Sequence, residues 1–362
     1  MVRRQFEAYL DKVFGFADLV AGMPEGRTYP LHPWEKVFDA VFLGSACQFA
    51  TLHRIEFESR DGALSKRIGP ISEDMLGYAM QRQDIDSLFA LGCTIAQRLK
   101  RNGVLGSEWA MGRMAAAVDG IEICSSYARC CDACLERKVE RKVDGELREC
   151  LQYYHRVSAV TLVSTPIPVF LGIRFQQAGE TEVACLPNAQ VTDDKFHVDS
   201  VVDEAVDQVR RLEQKTAPEL AKSRYVWLKN PEDLNERQWE KFDALDIANS
   251  HLKTARAYEI RLPFQDLFNQ PAEKAKAFLD KWYFWATHSR LPPIIKVAKT
   301  IRKHQDGILR WFISGINNGI LEGINSLVQA AKAKARGYRH DRNLATIVYL
   351  IAGKLDLSAL RT

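Results

Sequence analysis

Three features are missing from this chain of 362 residues: long apolar runs, a leader-like start, and cysteine in the second half. No apolar run reaches the roughly 20 residues that a membrane-spanning helix needs. The first residues lack the charged stretch, apolar core and cleavage site of a secretory signal. We therefore expect a cytoplasmic protein without a membrane partner. All eight cysteines lie between Cys47 and Cys185, and in a reducing compartment we expect free thiols or metal ligands instead of disulfides.

A strong net charge is also missing. The 50 Lys and Arg residues and the 46 Asp and Glu residues give a net charge of +4, which does not by itself indicate a nucleic-acid partner. The composition, 46% hydrophobic and 27% charged, is that of a folded protein and argues against disorder. The basic residues are clustered, however. The first basic cluster is Lys296, Lys299, Arg302 and Lys303, and the second is Lys332, Lys334, Arg336, Arg339 and Arg342. Such clusters are typical of surfaces that meet a phosphate backbone, and a solvated face is the alternative.

Residues 317–325 predict a turn that opens a helix. Leu321, Ile324 and Val328 follow at helical spacing on one face, and Glu322 falls in the first turn. A carboxylate there is stabilised by the helix dipole, which is one explanation of Glu322. Because the second basic cluster follows within a few turns, the other explanation is a hard metal ion held beside a phosphate backbone.

The apolar run 114–123 contains Asp119 and Gly120. It predicts a buried strand that delivers a carboxylate at its end. Because Asp-Gly is a favoured turn sequence, a hairpin turn at Asp119 is the alternative. Two further strands are predicted, over 157–163 and 167–175.

Helices are predicted on both sides of this strand region. Ser72 is the expected N-cap of one helix, and a second helix should run from about Ile85 to Lys100. The pair is either a helix-turn-helix that presents a helix to DNA or an ordinary helical hairpin. From residue 201 to 299 the apolar spacing is helical throughout.

Five cysteines lie close together in the sequence, with one histidine nearby. They are Cys124, Cys130, Cys131, Cys134 and Cys150, and the histidine is His155. Two thiolates separated by two residues, as at Cys131 and Cys134, can share one tetrahedral zinc ion. The candidate zinc ligands are Cys130, Cys131, Cys134 and Cys150. Buried cysteines, or cysteines that are merely reduced and bind no metal, are the default interpretation.

Several separated motifs in the second half resemble the DDE transposases of bacterial insertion sequences, in particular the ISL-three group. The motifs lie at residues 186–189, 224–234, 252–258, 282–286, 318–325 and 336–339. In that family the glutamate at the place of Glu322 is the last of three metal-binding carboxylates.

The first half resembles a different group of insertion-sequence transposases, related to the IS-four class. This resemblance is carried by Asp119 and Gly120 and by residues 125–137, 153–156, 171–172 and 179–183. It implies that Asp119 is the first acid. The two resemblances meet near residues 184–186, where the strand with the second acid is expected, so we predict a fusion that lacks this strand.

Asp194 is the nearest replacement for the second acid, and residues 190–192 are a candidate short strand before it. We predict that Asp194 caps a helix, with a catalytic role as the alternative.

The resemblance implies an α/β (α+β) fold with an RNase H-like core, an N-terminal helical region and an all-helical insertion. The expected boundaries are 1–112 for the N-terminal region, a candidate DNA-binding region, 113–200 for the first part of the core, 201–299 for the insertion and 300–362 for the closing helices.

The resemblance also implies a function, namely metal-dependent cleavage and strand transfer of double-stranded DNA at element ends and target. Asp119 and Glu322 would bind Mg²⁺ or Mn²⁺. The second basic cluster would meet DNA phosphates, and the protein would act as a homo-oligomer on DNA. Because the second acid is missing, a DNA-binding remnant without catalysis is the alternative.

Overall fold

The computed structural model describes residues 2–47, 49, 51–105, 113–163, 169–245, 251–315, 318–334, 342, 344–345 and 348–349. The chain divides into two compact units. The first unit is Met1–Pro187 together with Asn318–Thr362, and the second is Asn188–Asn317. Helices and strands are both present, so the predicted mixed α and β class is confirmed. None of the described helices combines the length and apolar content that a bilayer crossing requires.

Helices open the first unit. They are α1 (Val2–Phe14), α2 (Phe16–Ala21), α3 (Trp34–Ala46), α4 (Leu52–Arg60), α5 (Ser65–Ile68), α6 (Glu73–Arg82) and α7 (Ile85–Arg101). Val37, Ile55 and Leu76 belong to a core that these helices form among themselves. Ser72 and Asp84 are the N-caps of α6 and α7, each accepting hydrogen bonds from backbone N–H groups of the first turn. Both predicted helices are therefore confirmed.

A four-stranded antiparallel sheet follows, and β3 is its centre. The strands are β1 (Ala116–Ser126), β2 (Leu135–Val143), β3 (Glu146–Leu162) and β4 (Val169–Phe175). β1 pairs with the second half of β3, from Tyr153 to Leu162. On the other edge of β3, β2 pairs with the first half and β4 with the second half. The strand predicted over 157–163 corresponds to the second half of β3, and the strand predicted over 167–175 is confirmed from Val169 onward, since residues 167–168 lie outside the described residues. β2 was not predicted.

β1 runs through Asp119 and Gly120 and ends only at Ser126. The predicted strand end at Asp119 is therefore wrong, and so is the alternative of a hairpin turn there. Alternate residues of β1 are buried, beginning with Ala117 and including Asp119. The side chain of Asp119 thus points toward the core from inside the strand, as the period of two dictates.

β2 and the first half of β3 form an arm that is exposed on both faces. The arm turns at Asp144 and Gly145, whose φ angles are 54° and 87°. Two central residues with positive φ are the mark of a two-residue type I′ hairpin turn. Because β2 carries charged residues on both faces, its sequence has no apolar alternation.

The helix α7 packs on β4. At Gly92 a Cβ atom would overlap the backbone carbonyl of Leu171, so only glycine permits this close approach. The face of α7 that meets the sheet is therefore not available to DNA. This contact favours the ordinary helical hairpin for α6 and α7.

The helix α15 (Gly319–Lys334) returns to the first unit and packs on β1. Leu321 and Val328 are buried in one core with Ile121 and Ile123, and Ile324 packs against the same core. The predicted helix and its apolar face are therefore confirmed. Of the described residues that follow, Leu344, Ala345 and Val348 belong to this core as well.

No strand follows β4 in the described residues 169–245. This part of the chain contains a short 3-10 turn, Glu182–Cys185, and then α8 (Lys195–Glu213). The candidate short strand at residues 190–192 is therefore wrong. The loss of the second-acid strand and the fusion of two parental halves stay predictions.

Helices are the only regular secondary structure among the described residues of the second unit, as the apolar spacing over 201–299 predicts. After α8 it contains α9 (Arg224–Trp227), α10 (Glu236–Ala244), α11 (Lys253–Gln265), α12 (Ala272–Thr287), α13 (Pro292–Lys303) and α14 (Gln305–Ser314). Trp227, Tyr258 and Phe264 are among the largest fully buried side chains of this unit. They form one core with apolar residues from α8 to α14.

Candidate active site

Asp119 lies on the inner face of β1 and is 7% exposed. It is paired in register with Ala159 of β3. Asp119 Oδ1 accepts a hydrogen bond of 2.8 Å from the backbone N–H of Gly120. Within the described part of the chain no cation pairs with this carboxylate. A buried carboxylate without a cation is costly, so the donor chemistry at Asp119 suits a metal ion.

Glu322 is in the first turn of α15, as predicted, and its side chain is exposed. Its backbone N–H donates to the carbonyl of Asn318 at 3.0 Å. The neighbouring Leu321 is 1% exposed and packs in the core that also contains Ile121. Asp119 and Glu322 therefore stand on two elements that pack directly on each other. A Cβ at Gly323 would meet nothing within 4 Å, so the helix is open beside Glu322.

Asp194 caps α8. Its Oδ1 accepts hydrogen bonds from the backbone N–H groups of Phe196, at 2.8 Å, and His197, at 3.3 Å. This is the capping geometry that the sequence predicts for Asp194. A catalytic role for Asp194 stays a prediction.

Asp193, the neighbour of Asp194, is tied to α14. Its N–H donates to the carbonyl of Gly307 at 3.2 Å, and its carboxylate lies 3.3 Å from Nδ1 of His304. Burial raises the pKa of Asp193, and the nearby His304 opposes this shift. Asp193 thus has a packing role within the second unit.

Two residues of the second basic cluster are described with their side chains. Lys332 Nζ donates to the carbonyl of Glu122 on β1, at 3.3 Å. Arg342 donates to the carbonyl of Gln81, also at 3.3 Å. The side chain of Lys334 and the whole of Arg336 and Arg339 lie outside the described residues. The proposed phosphate contacts of this cluster therefore stay a prediction.

The first basic cluster lies on α13. Ile294, Val297, Ala298 and Ile301 form the buried face of this helix. Lys296, Lys299 and Lys303 are exposed on the other face, where they line a shallow groove with Pro292 and Ile295. Arg302 is different, because it forms an ion pair with Asp280 and lies 5.2 Å from the ring centre of Tyr283.

The structure brings Cys131, Cys134 and His155 together. The two sulfur atoms are 3.7 Å apart, and each lies 3.2 Å from Nε2 of His155. Cys150 does not join them. It stands opposite Val139 on the arm, five positions along β3 from His155 and therefore about 16 Å away. The predicted zinc ligand Cys150 is therefore wrong.

The third residue of the close group is His155 and not Cys150. From the sequence, His155 was noted near the cysteines but was not included among the candidate ligands, because the unpredicted strand β2 sets the register that brings the cysteines to this histidine. Cys130 is adjacent to Cys131 in sequence but is not part of the close group.

Comparison with known proteins finds similarity to transposases over part of the chain. Residues 180–348 match the family model of ISL3-type DDE transposases, described as a transposase. The resemblance of the second half of the chain to insertion-sequence transposases is therefore confirmed.

Two particular relatives are similar to part of the chain. The transposase for insertion sequence element IS1557 of Mycobacterium tuberculosis is 31% identical over 134 residues, which is 37% of this chain. The transposase for IS1001 of Bordetella parapertussis is 31% identical over 178 residues, or 47% of this chain. The matches span 30% and 44% of the length of these two relatives. No solved structure matches the chain with significance.

Proposed function

We propose that this chain is an insertion-sequence transposase of the DDE type. The match to the transposase family over residues 180–348 supports the proposal. The observation that carries it is the environment of Asp119, a carboxylate buried on β1 without a cation among the described residues. The helix that bears Glu322 packs on the same strand.

An RNase H-like core is part of this proposal. The antiparallel strands β1, β3 and β4 pair side by side, and the exposed arm of β2 and the first half of β3 extends from them. The first acid stands on the first strand, and a later helix with the last acid packs against that strand. The helical second unit comes between these acids in sequence. The order of acids and elements supports the RNase H-like assignment.

In the proposed chemistry, Asp119 and Glu322 hold a divalent ion, Mg²⁺ or Mn²⁺, through carboxylate oxygens. When bound, the ion supplies Lewis-acid activation of water and of the phosphodiester. Asp119 is suited to this task because its side chain is buried on β1 and its carboxylate accepts a hydrogen bond from the Gly120 N–H. The exposed Glu322 can approach from the first turn of α15.

Double-stranded DNA is the proposed partner, at element ends and at the target. In the second unit, Lys296, Lys299 and Lys303 offer an exposed row of ammonium groups that can bind phosphates. In the first unit, the second basic cluster serves the same purpose in the proposal. Such contacts position DNA but do not select its sequence. Joining two element ends would require a homo-oligomer on the DNA.

A second candidate function is DNA binding without cleavage. It is favoured by one observation, which is that no strand follows β4 in the described residues 169–245. Holding two ions against their mutual repulsion takes several carboxylates, and the described residues offer no second acid on a strand after β4. A remnant of a transposase would then keep DNA affinity and lose catalysis.

One assay separates the two functions. A supercoiled plasmid that carries the gene of this chain and its flanking DNA is incubated with the protein and Mg²⁺ or Mn²⁺, and nicked, linear and strand-transfer products are measured. Metal-dependent products that disappear in Glu322→Gln support the transposase. DNA binding without products in wild-type protein supports the second candidate. If the protein neither binds DNA nor yields products, both candidate functions are overturned.

A further inference from the structure

We propose that Cys131, Cys134 and His155 bind one zinc ion in the first unit, apart from the acidic site. The three side chains meet where the connection between β1 and β2 passes beside β3. Their ligand atoms all lie within 4.8 Å of one another. This set of ligands favours zinc, because thiolates are soft ligands, imidazole is a borderline ligand, and zinc binds both.

The distances fit a tetrahedral ion. Bonds of about 2.3 Å to sulfur and about 2.0 Å to nitrogen place two sulfurs about 3.8 Å apart and a sulfur about 3.5 Å from the nitrogen. The two sulfurs are 3.7 Å apart, and both sulfur to nitrogen distances are 3.2 Å. Nε2 of His155 is thus equidistant from Cys131 and Cys134. A small rotation of the imidazole about its side-chain bonds would open both distances to the tetrahedral value.

The ligands are held by the backbone around them. The Cys134 N–H donates to the Cys131 carbonyl at 3.0 Å, which closes a tight turn and points both thiols the same way. The Cys131 N–H donates to the Cys134 sulfur at 3.2 Å. Such N–H donors stabilise a thiolate that ligates a metal. A turn of this kind is the usual way for two cysteines separated by two residues to share an ion.

His155 is fixed by the sheet. It is paired on β3 with Cys124 of β1, and its ring meets the ring of Phe175 edge to face, with centres 6.3 Å apart. A ligand on a paired strand keeps its position more precisely than a ligand on a loop. The proposed ion would therefore fasten the turn before β2 to the centre of the sheet.

The group lies at the surface, because Cys131 is exposed and the other two ligands are partly buried. The fourth tetrahedral position is therefore left to water. The ion would hold the base of the exposed arm, since Cys134 directly precedes β2. This role needs no contact with Asp119 or Glu322, so the zinc proposal and the proposed function can fail separately.

The test measures zinc in the purified full chain, after growth with added zinc and gel filtration. We expect about one zinc per chain, and substitution by Co²⁺ should give thiolate-to-cobalt charge transfer and the visible bands of a tetrahedral site. Cys131→Ser and His155→Ala should each lower the zinc affinity at least about tenfold. His155→Cys should keep the ion, because a third thiolate can replace the imidazole.

Two control variants sharpen the result. Cys150→Ser changes the cysteine that the structure places away from the group, and Asp119→Asn changes the acidic site, so both should keep the zinc. Wild-type protein without zinc and without the cobalt spectrum would overturn the proposal, even if Cys131→Ser fails to fold. Unchanged zinc in a folded Cys131→Ser, or a Cys131 to Cys134 disulfide found by thiol titration, would overturn it as well.

Discussion

The hydroxyl of Tyr349 accepts a hydrogen bond of 3.1 Å from the backbone N–H of Ile173 on β4. Burial raises the pKa of Tyr349, so the phenol stays neutral at any physiological pH. Gly172 makes room for this contact, because a Cβ there would come within 2.5 Å of the Tyr349 oxygen. Tyr349 is therefore fitted to β4, which precedes it by more than 170 residues in the sequence. The two share one core.

The fit between Gly172 and Tyr349 predicts a graded loss of stability. Gly172→Ala adds a clash at a residue whose φ is 142°, and we expect a loss of about 2 to 3 kcal/mol in the free energy of unfolding. Tyr349→Phe removes only the hydroxyl and its hydrogen bonds to the backbone of Ile173, and it should cost about 1 kcal/mol. Urea unfolding of both variants checks the order.

Gly103 is the matched control for this prediction. It also has a positive φ, 73°, but a Cβ there would meet nothing within 4 Å. Gly103→Ala should therefore cost less than Gly172→Ala, since it carries strain without a clash. Equal losses at the two glycines would mean that Tyr349 does not pack on β4.

Asp194 gives a prediction that separates capping from catalysis. Asp194→Ala removes the acceptor for the first turn of α8 and should cost about 1 kcal/mol of stability. Asp194→Asn keeps an oxygen acceptor at the N-cap and should leave both stability and DNA processing close to wild type. Thermal unfolding and the plasmid assay are measured on the same preparations. A stable Asp194→Asn protein that no longer processes DNA would instead assign Asp194 to the active site.

Asp199 predicts a pH dependence of stability. Burial raises its pKa from 3.8 to about 6, the charges of Asp203 and Asp194 add to the shift, and Lys195 and Arg261 oppose it. Its Oδ1 has no hydrogen-bond partner among the described residues. Because the folded state holds the proton more tightly than the unfolded chain, stability falls as the pH rises from about 4 to about 6.

Asp199→Asn removes this titration. We expect the variant to match wild type below about pH 4 and to become more stable than wild type as the pH passes about 6. The measurement is the unfolding midpoint of both proteins at pH values from about 3.5 to about 8. A difference between the two proteins that does not change with pH would argue against the burial of Asp199.

The lysine row on α13 predicts salt-dependent DNA binding. Lys296, Lys299 and Lys303 are exposed on one face, and changing them together to Gln should weaken binding to any duplex. The slope of log affinity against log salt should fall by about one for each lysine that binds a phosphate. Arg302→Gln is the control on the same helix, because Arg302 is already paired with Asp280. Equal effects of the control and the triple variant on DNA affinity would show that DNA does not bind to this surface.

The sequence predicted those elements whose burial pattern is one-sided. Leu321 and Val328 mark the buried face of α15, and Ser72 marks the start of α6, because periodicity and capping are local signals. β2 was missed, since a strand exposed on both faces has no such pattern. The pairing register of β2 with β3 brings Cys134 to His155. This register cannot be predicted from a local sequence pattern.

Asp119 illustrates the same limit at the acidic site. Its residue type and the small apolar residues before it predicted a strand carboxylate, which is what the structure has. The strand end was placed too early, because Asp-Gly is a turn sequence in most contexts and tertiary pairing with β3 overrides that preference here. The environment of Asp194 could be predicted, because an N-cap is defined by its own helix.

The proposed chemistry requires that Asp119 and Glu322 bind one divalent ion together. Titration of the protein with Mn²⁺, followed by the electron paramagnetic resonance signal of the free ion, measures this binding. We expect a site in wild-type protein that disappears both in Asp119→Asn and in Glu322→Gln, with Cys131→Ser as the control that keeps it. Binding that persists in both acidic variants, or no binding in the wild type, would show that the two carboxylates share no ion.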